Sequence, residues 1–504
     1  MRIRLLLVAL VTASLPVCSQ AQHDHPAPEK LGKVLFPTSC APAVQAQFER
    51  GVALLHSFAF APAEKAFQEI VTADPKCAMA HWGVAMSLYH QLWEPPAAPG
   101  LQKGQQELAE AAKLEASARE KEYIGALSEY YRDSDKLTPP VRAGKYRDQM
   151  AQVAKENPKD PEAQIFYALS LLGTALPTDK THANQKQAAE ILEPLYKQYP
   201  QHPGLAHYLI HAYDSTELAP RGLQAARDYS KIAPSAPHAL HMPSHIFTRL
   251  GYWDDSIQSN LAARKAAHDQ GDIGEELHAM DYLTYAYLQR GRFDEAAKVL
   301  GELRAMPELK AGDFKIGYAG TAMPVRYAVE RQKWDEATKI EPIPGSAPHV
   351  AAIARWARAL GFARSGNVKD GEIETAKLHE QYESVKANGN PYWTTQTHVL
   401  LLEAQAWSAH AAGNTTEAVR SLRAAADEED AIDKLPVTPG PIVPAREQLG
   451  EMLLAMKQPK ESLQAFEAAL VDAPGRRGAL MGAAAASEQI GEKKKAEQYR
   501  AALR

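Results

Sequence analysis

The chain has 504 residues, of which 45% are hydrophobic and 23% charged. That balance is ordinary for a soluble globular protein, and the length suits several domains or one long repeat array. The formal charge of -5 provides no broad basic surface, so nucleic acid is not an expected partner.

At the N-terminus, Arg2 and Arg4 precede an apolar run from Leu5 to Leu15, and Ser19 and Ala21 follow at the spacing of a cleavage site. This pattern predicts a signal peptide over residues 1–21, cut after Ala21. The run is short for a transmembrane helix. Val17 is bulky where a lipid-anchor motif places a small residue, which argues against an anchor on Cys18. Cleavage removes two arginines and no acid, taking the formal charge from -5 to -7. No later apolar run is long enough to span a bilayer. The expectation is an exported protein, periplasmic or extracellular, with residues 22–42 as a flexible leader. The leader begins QHDHP, a short His-rich tail of the kind that binds copper or zinc weakly. Two cysteines remain, Cys40 and Cys77. An oxidising compartment favours a disulfide between them; two buried free thiols are the alternative.

Repeats come next. In GVALLHSFAFAPAEKAFQEIVTADP, Gly51, Leu54, Ala63, Phe67, Ile70 and Pro75 keep a fixed spacing. The C-terminal stretch LGEMLLAMKQPKESLQAFEAALVDAP repeats it with Gly450, Leu453, Ser462, Phe466, Ala469 and Pro474. Ser462 and Ala496 are 34 residues apart, as are Pro200 and Pro234. This spacing resembles the tetratricopeptide repeat (TPR), in which two amphipathic helices bury their apolar faces against the neighbouring pairs. The resemblance implies an all-α, TPR-like helical-repeat solenoid, a right-handed superhelix of about eight to ten helix pairs. Alternating β-branched runs are nearly absent, which argues against sheets.

Proline-rich stretches at 91–100, 133–140, 341–349 and 434–444 read as loops. The expected organisation is N-terminal and central repeats over 43–340, with a helical insertion near 101–165. C-terminal repeats with a capping helix then cover 350–504.

The candidate site is the set of histidines in two consecutive first helices. With Pro200 and Pro234 setting the register, GLAHYLIHAYD and PHALHMPSHIFT occupy equivalent places. His207 and His241 are then 34 apart, and so are His211 and His245. Spacings of three and four put His207, His211 and Asp214 on one helical face, and His238, His241 and His245 on another. The following first helix brings His278, Asp281 and Tyr285, and the last full repeat puts Glu447 and Glu451 at the equivalent places. In the TPR family this face lines a concave groove where ligands bind, so the resemblance implies a histidine-rich groove. Arg326, Trp356 and Trp407 fall on the same face further along.

Longer segments carry a more specific resemblance. They are FPTSCAPAVQAQFERGVALLHSF, CAMAHWGVAMSLYHQLWEP, HPGLAHYLIHAYD, APHALHMPSHIFTRLG and VTPGPIVPAREQLGEMLL. Through them the chain resembles a group of exported bacterial TPR proteins and, more distantly, the tetratricopeptide repeat protein 38 family. The resemblance implies a fold and a binding role, not a reaction. Gly222 and Gly371 stand where the repeat usually has a helix-packing alanine.

Three readings of the histidines stand side by side. They pack and satisfy one another; or His207, His211, His241 and His245 hold a transition metal such as zinc or copper, imidazole being a suitable ligand; or the groove takes a protein, peptide or small ligand without metal. HExxH, GxSxG, phosphate-loop and dinucleotide signatures are missing, so a standard hydrolase or nucleotide enzyme is not expected.

Overall fold

The computed structural model describes residues 29–92, 94–307 and 309–503. The expected signal peptide and the QHDHP segment lie outside them. Among the described residues every regular element is a helix. The helices pair in chain order, from Gln45–His56 with Phe60–Ala73 to Arg477–Gln489 with Lys493–Ala502, and each packs on the next. This is a TPR-like solenoid of twelve pairs, counting one segmented helix as a single element. The array exceeds the expected number because residues 101–165 are not an insertion. Ala98–Ala111 packs on Ala78–Ser87, and Ala118–Tyr131 on Pro139–Glu156, in the same alternation. Their connecting loops differ in length, which hides the period.

Local sequence explains the boundaries. Ser117 and Glu120 form a reciprocal capping box at the start of Ala118–Tyr131. Asp160, Asp272 and Asp313 each accept a first-turn backbone N–H. Between helices of a pair, small residues set the approach. A Cβ on Gly51 would stand 2.7 Å from the Phe67 ring, and one on Gly450 would stand 2.8 Å from the Phe466 ring. Both ends of the array thus use the same glycine–phenylalanine contact.

The helix that carries the motif PHALHMPSHIF is broken. It runs Pro237–His241 and then Pro243–Arg249. Pro243 has no N–H to donate, and its ring crowds the carbonyl four residues back, so the helix is interrupted there.

The leader is only partly as expected. From residue 29 onward it is docked: Phe36 is fully buried, 5.3 Å from Phe48, 5.1 Å from Tyr123 and 5.7 Å from Trp82 by ring centroids. Burial of two apolar side chains, Leu31 and Phe36, outweighs the freedom of so short a segment. Cys40 and Cys77 are bridged, with Cα atoms 4.7 Å apart. Cys77 is the N-cap of Ala78–Ser87, so the bridge ties the start of the second pair to the approach of the first. None of the described helices is long and apolar enough to cross a membrane.

The superhelix winds tightly. Gln45–His56 touches Pro203–Ala212, and Ile273–Gln289 touches Arg477–Gln489. First helices of separate pairs therefore meet across the interior, and the proline-rich segment 431–444 occupies what the repeat pattern alone would leave as an open groove.

Candidate metal centre and its cover

The first helices Pro203–Ala212, Pro237–His241 with Pro243–Arg249, and Ile273–Gln289 deliver the histidines. All are buried, His211 being the most exposed at 8%. They do not gather as the expected set of four. His207 and His211 group with His238, and His241 and His245 group with His278; within each trio the ligating atoms lie within 4.8 Å of one another. Successive first helices stand one repeat apart, with axes about 8–10 Å apart, so the equivalent pairs face different thirds. The His211 and His245 ring centroids are 6.0 Å apart. His238 and His278, expected at the edges of the patch, are the residues that complete each trio.

Hydrogen bonds orient the rings. His207 donates from Nδ1 to the carbonyl of His56 at 2.6 Å. His241 donates from Nδ1 to the Asn260 side-chain oxygen at 2.6 Å, while the Asn260 amide donates to the Ser256 carbonyl at 2.8 Å. His245 donates from Nδ1 to Asp214 at 2.8 Å. His238 Nδ1 meets Glu275 at 3.1 Å, and Glu275 is also paired with Lys315. These acceptors beyond the ring are the arrangement that orients metal-ligating histidines.

One consequence decides the chemistry. His241 and His245 each carry the Nδ1 proton, so in the neutral rings both Nε2 atoms are bare. Those Nε2 atoms face each other at 3.0 Å. The nearby Tyr282 hydroxyl, 3.4 Å from His245 Nε2, has its own acceptors at the carbonyls of Thr438 and Pro436, 3.1 and 3.2 Å away. Burial lowers the pKa of His241, and it pulls His245 down to about 4, which disfavours a shared proton. Two bare Nε2 atoms at this distance form a pair that could hold one ion together with His278. Two nitrogens on one tetrahedral zinc stand about 3.3 Å apart.

The other trio differs. His207 Nε2 is 3.1 Å from His211 Nε2. His211 is free to donate there, because its Nδ1 has no protein partner. Burial lowers His207, His211 and His278 alike.

Asp214 anchors the cover. Burial pushes its carboxyl up, but Lys434, Arg249 and His245 together hold it well below the usual carboxylate range. Lys434 reaches it from the strap, the segment 431–444, while Arg249 reaches it from the histidine helix at 2.9 Å. Further along the strap, Arg326 is fully buried, donating to Asp281 at 3.0 Å and to the carbonyls of Gly440 and Pro441 at 2.9 and 3.0 Å. Asp433 closes the near end, held by Lys180 at 2.7 Å and His182 at 2.9 Å.

The remaining expected groove residues are interior or paired. Tyr285 is buried and meets Arg476 at 3.2 Å. Glu447 is ion-paired with Arg476 at 2.7 Å, and Glu451 with Arg364 at 3.0 Å. Trp356 is fully buried in the C-terminal core. Trp407 donates to Gln448 at 3.0 Å and lies under the Arg364 guanidinium. The histidines do not line an open groove: they are buried, and the chain's own strap lies over them through Asp214, Tyr282 and Arg326. Asn260, Glu275, Arg249 and Lys434 were not singled out from sequence. Asn260 and Lys434 lie on other elements, outside the three-and-four spacing of the histidine stripes; Arg249, four after His245, and Glu275, three before His278, keep that spacing and were the legible signal that was missed.

Fold and site together define an all-α, TPR-type helical-repeat protein with a buried histidine centre. No protein-family model and no curated protein sequence matches the chain. Among solved structures it is similar to the human IFIT1 dimer with m7Gppp-AAAA, at 13% identity and a TM-score of 0.42, covering 85% of this chain and 90% of that one. It is also similar to Cut9-Hcn1 of the APC/C, at 10% identity and a TM-score of 0.37, covering 88% and 76%. For Naa15/Naa10 bound to HypK-THB the identity is 14% and the TM-score 0.23, covering 90% and 62%. Likeness at this level bears on neither ligand nor partner.

Proposed function

We propose that this chain is a transition-metal-binding protein of an oxidising compartment, with its primary ion among His241, His245 and His278. A second position lies among His207, His211 and His238. The observation that carries the reading is the opposed pair of Nε2 atoms at 3.0 Å, each on a ring whose Nδ1 donates elsewhere. Imidazole-only donors suit zinc, copper, nickel or iron(II) rather than calcium or magnesium. Three ligands per ion leave a coordination position for water or another small ligand. The bridged Cys40–Cys77 pair and the apolar N-terminal run support export.

The test is elemental analysis of the untagged mature protein, purified from an exporting host without chelator. One or two equivalents of a transition metal, reduced in His241→Ala, support the reading. No bound metal, with none taken up on adding zinc or copper, returns the histidines to packing.

A further inference from the structure

A cavity of about 380 Å³ lies between the strap, the start of Pro391–Ala411 and the ends of Thr415–Asp430 and Pro459–Asp472. That volume falls within the roughly 300–1,000 Å³ of small-molecule sites. Tyr285, Tyr318, Tyr392 and Trp393 contribute to its wall, with Ile432 and Pro439 beside them. The carboxylates of the wall are of two kinds. Asp430 is paired with Arg446 at 2.8 Å, Asp433 with Lys180 at 2.7 Å and Glu217 with Lys186 at 3.3 Å. Glu429 and Asp472 make no ion pair with a described residue. Glu429 accepts the Ala445 N–H at Oε2. Its Oε1 takes no hydrogen bond from a described residue, yet it is not sealed in the core: it stays accessible on a residue that lines the cavity.

These features select for positive charge. Burial, with Asp430 near, pushes both free acids up, Glu429 to about 8; a cation set against them relieves that strain. Both acids also stand in the last turn of a helix, where unpaired carbonyls carry partial negative charge. The helix start on the opposite wall is already satisfied, the Trp393 N–H being taken by Asn390 at 3.1 Å. An anion would find the cations committed, Arg249 and Lys434 to Asp214, Lys180 to Asp433, and Arg446 to Asp427 and Asp430. An inorganic cation would leave the aromatic wall unused. An organic ammonium ion uses both parts, since ring faces attract cations and the rest of the wall takes hydrocarbon.

We propose that this cavity binds a small organic amine as its ammonium ion, with the charged head toward Glu429 and Asp472 and the hydrocarbon part against Tyr392 and Trp393. None of these residues belongs to the histidine centre, so the site stands apart from the metal reading.

The experiment is calorimetric titration and ligand-observed NMR on the full mature chain. The probes are n-butylamine, cyclohexylmethylamine and 2-phenylethylamine, each compared with the alcohol and the carboxylate of similar skeleton. The expected result is saturable one-site binding of at least one amine, about tenfold or more tighter than its alcohol, with its carboxylate weaker still. Glu429→Gln should weaken the amine about tenfold, the effect of a hydrogen bond to a charged group, and leave the alcohol unaffected. Asp472→Asn, at an exposed position, carries the same test should Glu429→Gln fail to fold. Three results would overturn the proposal. They are saturable binding of none of the amines; an alcohol or carboxylate that binds as tightly as its amine; or unchanged amine affinity in folded Glu429→Gln and Asp472→Asn proteins.

Discussion

Lys434 donates to Asp214 at 2.8 Å across 220 residues of sequence, and both side chains are almost wholly buried. Burial pulls the Lys434 ammonium down to about 8, so the contact with Asp214 is what keeps it charged in place. Lys434→Met should leave Asp214 with Arg249 and His245 only. Loss of one partner from a buried pair costs about 3 kcal/mol. Urea unfolding measures that cost. Hydrogen exchange should quicken at the strap amides of Asp433 and Leu435, which are bonded to Pro177 and Tyr392, with the first repeats unaffected. Unaltered strap protection would show that Lys434 does not hold the cover.

A metal centre leaves a thermal signature. If His241 and His245 bind an ion only in the folded state, its occupancy stabilises by mass action. Stripping with chelator should lower the melting temperature of the parent protein and leave that of a folded His241→Ala, His245→Ala variant unchanged. Equal sensitivity in both would place the bound metal elsewhere.

Closing the Cys40–Cys77 loop, 37 residues in separation, stabilises by roughly 3–4 kcal/mol on chain-entropy grounds. The unreduced, unfolded mature protein should show no free thiol by quantitative labelling. Reduction should lower the urea midpoint by an amount of that order. Two labelled thiols without reductant would remove the bridge.

Tight packing at Gly450 gives a steric prediction. Its Cβ would lie 2.8 Å from the Phe466 ring, so Gly450→Ala should cost about 1–3 kcal/mol by overpacking, despite the higher helix propensity of alanine. Gly301, in a second helix with open space at its Cβ, is the control, and Gly301→Ala should stabilise slightly. Equal effects at the two sites would mean the array relaxes freely around added volume.

Glu429 provides a pH test away from the histidines. Burial, with Asp430 and Asp472 near, pushes its carboxyl up from 4.5 to about 8. A raised acid contributes its stability in full below the unfolded value and loses it as pH rises through the folded one. Glu429→Gln keeps an acceptor for the Ala445 N–H, bonded at 2.7 Å, and stays neutral. The variant should match the parent near about pH 5 and exceed it in stability near about pH 9. Parallel pH profiles would remove Glu429 as a source of alkaline destabilisation.

The repeat was legible because stacked helices impose their spacing on sequence. Pro200 and Pro234, or Gly51 with Phe67 and Gly450 with Phe466, report the same contacts wherever they recur. That register also set His207, His211, His241 and His245 on stacked first helices. What spacing does not contain is the third dimension. It assigns residues to a face, but not what lies against that face. The strap has no periodicity, so KLPVTPGPIVP reads as a connector, although Asp214, Tyr282 and Arg326 all hold it. The division into trios depends on which way each ring turns. That is set by Asn260, Asp214 and the His56 carbonyl, which no helical period links. Pro243 is visible in the motif as a helix breaker, yet the direction of the resulting offset is not.

The strap also fixes an order in time. Synthesis proceeds from the N-terminus, and pairs nearer that end begin to fold first. Every histidine of the two trios is therefore synthesised before residues 431–444. The chamber begins as an open bowl and acquires its roof only when the last third of the chain arrives. Once the roof has docked through Asp214, Tyr282 and Arg326, the proposed ion would leave only through a local opening event. Retention of the proposed ion would then depend on how often the roof lifts, and its identity on what was present when the roof came down.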